Sequence, residues 1–126
     1  MKKVEIIGKF YDNHSLAIIN REVALRLGDS EKYPNIDLAI TPIDQYDSQY
    51  KINKDSLQLL KELESKEVEA DIQIRHTYPP IWRWPVLKKT KIVYIQPWEY
   101  VKIPFEWQYK FEQFADFLVT PSNWSM

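Results

Sequence analysis

Residues 70–100 read ADIQIRHTYPPIWRWPVLKKTKIVYIQPWEY and decide the fold, because they contain two strand-like runs that each end in polar and aromatic residues. Ala70 to Ile74 predicts a short strand that leads into RHTY. The pair Pro79 and Pro80 then stops regular structure, since proline lacks a backbone N–H and constrains its predecessor. Lys91 to Gln96 contains the apolar run IVYI, which is typical of a parallel strand covered on both faces. These two runs are the predicted central strands.

Strands and helices alternate on both sides of these runs. Helical spacing of apolar residues, with Asn13 or Ser15 as the N-cap and Gly28 as the stop, predicts a helix directly after the first strand. The other predicted elements are strands at Lys2–Lys9, Ile36–Thr41 and Asp116–Thr120, and helices at Lys54–Glu67 and from Pro104 onward. This alternation predicts an α/β fold, a Rossmann-like doubly wound parallel sheet with helices on both faces.

The composition fits one soluble globular domain, residues 1–126, in which 44% of the residues are apolar. The chain has 17 basic and 18 acidic residues and a net charge of −1, so it lacks the basic surface that nucleic acid requires. It contains no cysteine, and its apolar runs fall far short of the roughly 20 residues of a membrane span. We therefore expect a cytoplasmic protein without disulfides, targeting segment or nucleic-acid partner.

Several cofactor and catalytic motifs are absent from the sequence. Gly8 and Gly28 are the two glycines of the chain, so neither the dinucleotide motif G-x-G-x-x-G nor a P-loop can occur. Two histidines without any cysteine give no zinc spacing, and the G-x-S-x-G elbow of serine hydrolases does not occur. We therefore expect no cofactor and no metal ion.

Polar residues follow the carboxyl ends of the predicted strands. They are Asn13 and His14 after the first strand, His76 after the third, Gln96 to Glu99 after the fourth and Ser122 after the fifth. In a parallel sheet these ends share one edge, where doubly wound folds bind their ligands. In the usual strand order the first and fourth strands are neighbours, so His14 and the turn 96–99 should form the closest pair.

Several segments, taken in this order, resemble one known family. They are GKFYDNHSLAIINREVAL (8–25), RHTYPP (75–80), YIQPWEY (94–100), Trp107 and VTPSNW (119–124). Together they resemble the N-terminal domain of family-4 glycosyltransferases, which are retaining enzymes of the GT-B fold. The resemblance covers nearly the whole chain and implies that this domain holds the acceptor. It also implies a C-terminal nucleotide-sugar domain outside this chain, so the chain alone should be inactive.

The resemblance has implications for individual residues. The loop after the first strand lies near the donor phosphates in this family, which implies a catalytic role for His14 and substrate contact for Asn13. The turn after the fourth strand commonly carries a histidine in the family. Here Gln96 or Trp98 occupies that neighbourhood, so the histidine's role is not carried over. Glu99 follows the same strand and is the second catalytic candidate, as an acid/base group or a ligand of sugar hydroxyls.

The expected ligands follow from the same resemblance. The predicted substrate-binding residues are Asn13, His76, Gln96, Trp98 and Ser122, with His76 on the acceptor side. The expected partners are a nucleotide-sugar donor, a sugar, glycan or lipid acceptor, and a membrane surface in peripheral contact. The chain departs from the family pattern in two respects, because its first loop is not glycine-rich and the E-x7-E pattern of the donor domain does not occur.

Each candidate residue also has a structural interpretation. His14 can close a turn, His76 can bond to the loop of the two prolines, and Glu99 can cap the following segment. Trp82 and Trp84 are expected to pack against the missing half of the enzyme, and exposed tryptophans predict self-association of the isolated domain. The alternative function is a non-catalytic, stand-alone Rossmann-like module that binds a carbohydrate or a partner chain.

Overall fold

The structure is a computed structural model that describes residues 2–47, 49–66, 69–77, 80–85, 88–95 and 105–119. Its strands are β1 (Lys2–Gly8), β2 (Ile36–Pro42), β3 (Ile72–His76), β4 (Lys91–Ile95) and β5 (Phe117–Val119). Its helices are α1 (Ser15–Leu27), α2 (Lys54–Glu64) and α3 (Phe105–Phe114). All of these elements lie close to their predicted positions. No described helix is both long and apolar enough to cross a membrane.

The ends of the helices are set by local contacts. The N-cap of α1 is His14, between the two predicted candidates, and the backbone N–H of Gly28 donates to the carbonyl of Ala24 where the helix stops. The side chain of Asn53 caps α2 by accepting hydrogen bonds from the N–H groups of Asp55 and Ser56 at 2.8 and 3.4 Å. Such caps satisfy N–H groups that have no partner inside the helix.

The five strands form one parallel sheet in the order β2-β1-β3-β4-β5. The predicted α/β fold is therefore confirmed, but the predicted adjacency of the first and fourth strands is wrong, because β3 pairs with both and lies between them. Val4 and Ile6 of β1 lie beside Ile72 and Ile74 of β3, which continues the apolar surface from strand to strand. The loop after β1 consequently lies next to the end of β3, where His76 is.

Helices α1 and α2 cover the face of the sheet that carries Val4 and Ile6, here called the α1 face. Its core joins these strand residues to Ala24 of α1 and to Leu60 and Leu63 of α2. The two leucines lie three residues apart on the stripe that faces the sheet. Burying a leucine side chain contributes roughly 1.5–3 kcal/mol, so Leu60 and Leu63 both stabilise the packing of α2 on the sheet.

The connections between strands differ in hand. Strands β2 and β3 lie on opposite sides of β1, yet the connections through α1 and α2 both pass over the α1 face. These two crossovers therefore turn in opposite senses. The crossover through α3 passes over the other face from β4 to β5 and has the same hand as the one through α1. Since parallel strands are nearly always joined by right-handed crossovers, the connection through α2 is the exceptional one.

The opposite face, here called the α3 face, carries Ile92 and Tyr94 of β4 under Phe111 of α3. Trp82 joins this cluster, with its ring centroid 4.8 Å from that of Phe111 and 5.4 Å from that of Tyr94. The expectation that Trp82 packs against a missing half is therefore wrong, because its own domain supplies its aromatic partners. For Trp84, which is 63% exposed, that expectation stays a prediction.

A buried guanidinium ties the segment 80–85 to the α3 face. Arg75 is 1% exposed, and its Nε donates to Oε1 of Gln73 at 2.7 Å. One terminal nitrogen donates to the hydroxyl of Tyr94 at 2.8 Å and to the carbonyl of Ile81 at 3.1 Å. Gln73 in turn donates to the carboxylate of Glu5 at 2.7 Å. A buried charge is tolerated only when its hydrogen bonds are satisfied, so these hydrogen bonds have a structural role.

Replacing Arg75 with alanine should lower the free energy of unfolding by about 3 kcal/mol or more, because buried acceptors lose their donor and a cavity opens. Arg83→Ala is the matched control. Arg83 is an exposed arginine in the same segment, and its loss should change the free energy of unfolding by less than about 0.5 kcal/mol. Urea denaturation measures both values. Equal stability of the two variants would contradict a structural role for the buried guanidinium.

Candidate functional site

The loop between β1 and α1 is held by a carboxylate from the segment after β2. Asp44 accepts hydrogen bonds from the backbone N–H groups of Phe10 at 3.0 Å, Tyr11 at 3.1 Å and Asp12 at 2.9 Å. Successive N–H groups around one anion form the kind of concave site that loops often offer to phosphate. Here the chain fills that site itself, so Asp44 fixes the loop without a glycine-rich motif.

A second carboxylate, that of Asp12, holds the next two backbone groups of the loop. Its Oδ1 accepts hydrogen bonds from the N–H groups of Asn13 at 2.6 Å and His14 at 3.2 Å. Partial desolvation raises the pKa of Asp12, but these N–H groups and the side chains of His14 and Lys9 outweigh it, so the pKa lies below its usual range. Every backbone N–H from residue 10 to residue 14 therefore has a carboxylate partner within the chain.

Asn20 joins α1 to the ends of two strands. Its side chain is 2% exposed, and its Nδ2 donates to the backbone carbonyl oxygens of Lys9 at 3.0 Å and His76 at 3.3 Å. This approach requires Gly8, because a Cβ atom there would lie 2.5 Å from Nδ2 of Asn20 and 2.6 Å from the carbonyl oxygen of His76. Glycine at this position lets the helix come close to the sheet.

The same contacts fix the protonation of the His76 ring. Its Nδ1 lies 2.7 Å from Oδ1 of Asn20. Because the two carbonyl oxygens can only accept, the amide nitrogen of Asn20 must face them and its oxygen must face the ring. Nδ1 of His76 therefore carries a proton, and in the neutral ring Nε2 carries the lone pair. The side chain is 4% exposed, and this burial lowers its pKa, which favours the neutral ring at pH 7.

A cleft of about 230 Å³ opens at the carboxyl ends of β1, β2 and β3. It is lined by Lys9, His14, Leu16, Ile43, His76 and Thr77. The cleft lies where the strand order reverses, with β2 and β3 on either side of β1, and doubly wound folds bind ligands at this point. The lining combines an imidazole acceptor, an ammonium group and apolar side chains, so it can bind a small hydroxylated molecule or one ring of a larger one.

The structure brings two of the predicted site residues together, because His14 and His76 both line the cleft. The side chain of His14 is 79% exposed, and Asn13 is exposed without being among the described residues of the lining. Gln96, Trp98, Glu99 and Ser122 lie outside the described residues. Their predicted roles, and the pairing of His14 with Glu99, stay predictions.

Asn20, Lys9 and Asp44 were not among the site residues predicted from the sequence. A signal for Asn20 existed, since it falls on the buried stripe of α1 between Ala17 and Ala24, where a polar side chain has to find partners. Lys9 and Asp44 had no comparable signal. Asp44 binds N–H groups 32 to 34 residues away along the chain, and no local pattern indicates such a contact.

Comparison of the chain with models of known protein families, with curated proteins and with solved structures finds no match. In the described part of the chain, no group of three His, Cys, Asp or Glu side chains could hold a metal ion. The class of the protein is therefore defined by its fold and its cleft. It is a Rossmann-like α/β domain with a buried histidine in a cleft where its strand order reverses.

Stability should depend on pH through His76. In the unfolded chain a histidine has a pKa of about 6.5, whereas burial lowers the pKa of His76 in the folded protein. Well above pH 6.5 the ring is neutral in both states, so its protonation does not reduce the free energy of unfolding. As the pH falls below about 6.5, the unfolded state takes up the proton first, so the free energy of unfolding decreases. Urea denaturation between pH 5 and 8 should show this decrease in the wild type and lack it in His76→Gln. The same dependence of stability on pH in the wild type and in His76→Gln would contradict a role for this ring.

The Gly8→Ala variant should lose about 1–3 kcal/mol of stability, because the new methyl group meets the backbone carbonyl of His76, which cannot move without shifting the sheet. The contact between Asn20 and the ring should be disturbed at the same time. Urea denaturation measures the first effect, and the ¹⁵N chemical shifts of the imidazole measure the second. Wild-type values in both experiments would show that the close packing at Gly8 is unimportant.

Proposed function

We propose that this chain is the acceptor-side, Rossmann-like domain of a glycosyltransferase that transfers a sugar from a nucleotide-sugar with retention. The observation that carries the proposal is the position of His76, which lines the cleft at the reversal of strand order with its Nδ1 bonded to Asn20. The acceptors of sugar transfer are hydroxyl groups, and an imidazole lone pair is a suitable hydrogen-bond acceptor and general base for a hydroxyl. The segments that resemble family-4 glycosyltransferases, including those around His14 and His76, support the same function.

The side chains of the cleft have distinct roles in this proposal. The acceptor places a hydroxyl toward Nε2 of His76 and an apolar part of its ring against Leu16 and Ile43. Lys9 attracts an anionic group of the donor or the acceptor. His14 precedes the first turn of α1, where the positive end of the helix dipole favours an anion, and it contacts the donor phosphate or the reacting sugar.

The residues outside the described part of the chain keep the roles that the sequence suggests. Glu99 is the second catalytic candidate, and it binds sugar hydroxyls or assists the movement of the acceptor proton. Gln96, Trp98 and Ser122 bind substrate, as does Asn13. The nucleotide part of the donor is held by a second domain.

The second candidate function is a non-catalytic module that binds a carbohydrate or a partner chain. The observation that favours it is the loop after β1, whose N–H groups are occupied by Asp44 and Asp12 rather than open to a donor phosphate. Ile18 and Ile19 on α1 and Ile43 beside the cleft are also exposed. Such apolar side chains suit a partner chain, a lipid acceptor or a peripheral membrane contact, and they suit self-association of the domain.

Hexoses should bind in this cleft, and His76→Ala should weaken their binding about five- to ten-fold, the scale of one lost hydrogen bond. Lys9→Ala should weaken the binding of hexose phosphates more than the binding of neutral hexoses, because it removes a positive charge. Lys91→Ala is the matched control, since Lys91 is an exposed lysine at the amino end of β4, on the other edge of the sheet.

The measurement is a titration of the ¹⁵N-labelled protein with glucose and with glucose 1-phosphate, followed by NMR. Shifts should concentrate at the cleft in the wild type and in Lys91→Ala. The absence of binding by both compounds, or equal affinities of the wild type and His76→Ala, would overturn the proposed role of the cleft.

A further inference from the structure

We infer that Asn20 makes the cleft selective for a ligand group that donates a hydrogen bond to His76, which means a hydroxyl rather than a carbonyl or carboxylate oxygen. The inference deepens the proposed function and rests on it for the place where the ligand binds. Asn20 is a positioning residue in this scheme, because its buried side chain acts on the ligand through His76.

The hydrogen bonds of Asn20 determine which nitrogen of His76 faces a ligand. The amide nitrogen serves two backbone carbonyls, at Lys9 and at His76, so the amide oxygen is directed at Nδ1 of the ring. With Nδ1 protonated and bound to Asn20, Nε2 is the ring nitrogen left for a ligand in the cleft, and it has a lone pair. A lone pair attracts a hydroxyl proton and repels the oxygen of a carbonyl or a carboxylate.

A ligand cannot readily reverse this arrangement. Turning the amide of Asn20 by half a turn would point its oxygen at the carbonyl oxygens of Lys9 and His76 and its NH₂ group at the ring. The two hydrogen bonds to the backbone carbonyls of a buried amide would be lost, since acceptor would face acceptor, and only the bond to the ring could form again, with Nδ1 as the acceptor. One hydrogen bond to a ligand contributes less free energy than the loss of these buried hydrogen bonds costs. The tautomer is therefore set by the fold before any ligand arrives.

The charges of the cleft decide where a second group of the ligand lies. Lys9 lines the same cleft, and its ammonium, which lies 3.7 Å from Oδ2 of Asp12, pairs with a phosphate or a carboxylate more favourably than the lone pair of His76 can. The ligand class is therefore a hydroxyl compound, whose anionic group, where it has one, lies toward Lys9 and away from the hydroxyl on His76.

The first test uses the wild-type chain with cyclohexanol and cyclohexanone, two probes of similar size that differ in hydrogen-bond donation. Long-range ¹H–¹⁵N spectra should show the proton of His76 on Nδ1. Cyclohexanol should shift the Nε2 signal and bind about five-fold or more tightly than cyclohexanone, the effect of one hydrogen bond. A proton on Nε2, or equal affinities for the two probes, would overturn the inference.

Two variants test the part played by Asn20. Asn20→Asp keeps an oxygen opposite Nδ1 and should retain the proton there, but it gives up the two hydrogen bonds to the backbone carbonyls and should therefore be less stable than the wild type. Its preference for the alcohol should persist at a pH where the ring is neutral. Asn20→Leu is similar in size but offers no hydrogen bond, so both tautomers should appear and the preference should fall to about two-fold or less. A wild-type tautomer and preference in Asn20→Leu would overturn the role of Asn20. If this variant does not fold, the wild-type and Asn20→Asp spectra still decide the question.

The outcomes separate this inference from the proposed function. If the alcohol is preferred and the tautomer is fixed, but neither glucose nor glucose 1-phosphate binds, the sugar-transfer proposal fails and the selectivity for a hydroxyl stands. If the sugars bind in the cleft while His76 carries its proton on Nε2, this inference alone is overturned.

Discussion

The amide of Asn20 holds α1 against the junction between β1 and β3, and the geometry of the cleft depends on it. Its hydrogen bonds reach the backbone of Lys9 after β1 and both the backbone and the ring of His76 at the end of β3. The distance is short enough that residue 8 has to be glycine. One buried side chain therefore links helix packing, the spacing of two strand ends and the protonation of a histidine.

Two consecutive residues of β3, Arg75 and His76, make contacts on opposite faces of the sheet. Arg75 extends into the α3 face and binds the segment that carries Trp82, whereas His76 belongs to the opposite side and binds Asn20 of α1. Successive side chains of a strand point to opposite faces, so a single extended segment can fix two layers. Both side chains are polar and buried, and each is tolerated because neighbouring strands and helices complete its hydrogen bonds.

The elements of the fold could be predicted from sequence because they depend on local periodicity and on local stop signals, as with α1 and Gly28. Strand order could not, since it depends on pairing between distant segments, such as the bond from the N–H of Lys3 to the carboxylate of Asp71, 68 residues away. The candidate site shows the same division. His76 was predicted because it follows an apolar run, whereas Asp44 reaches the site through a long-range contact that leaves no local pattern.

The loop after β1 shows how a chain with two glycines can build this part of a doubly wound fold. Glycine-rich loops leave their N–H groups open to phosphate, but here Asp44 and Asp12 occupy those groups. A phosphate would have to displace a carboxylate that the chain already holds at no entropic cost of association, which disfavours this loop as a phosphate cradle. The recognition chemistry that the cleft retains is that of side chains, chiefly the lone pair of His76 and the ammonium of Lys9. That chemistry suits a domain that binds a hydroxylated acceptor better than one that binds a nucleotide.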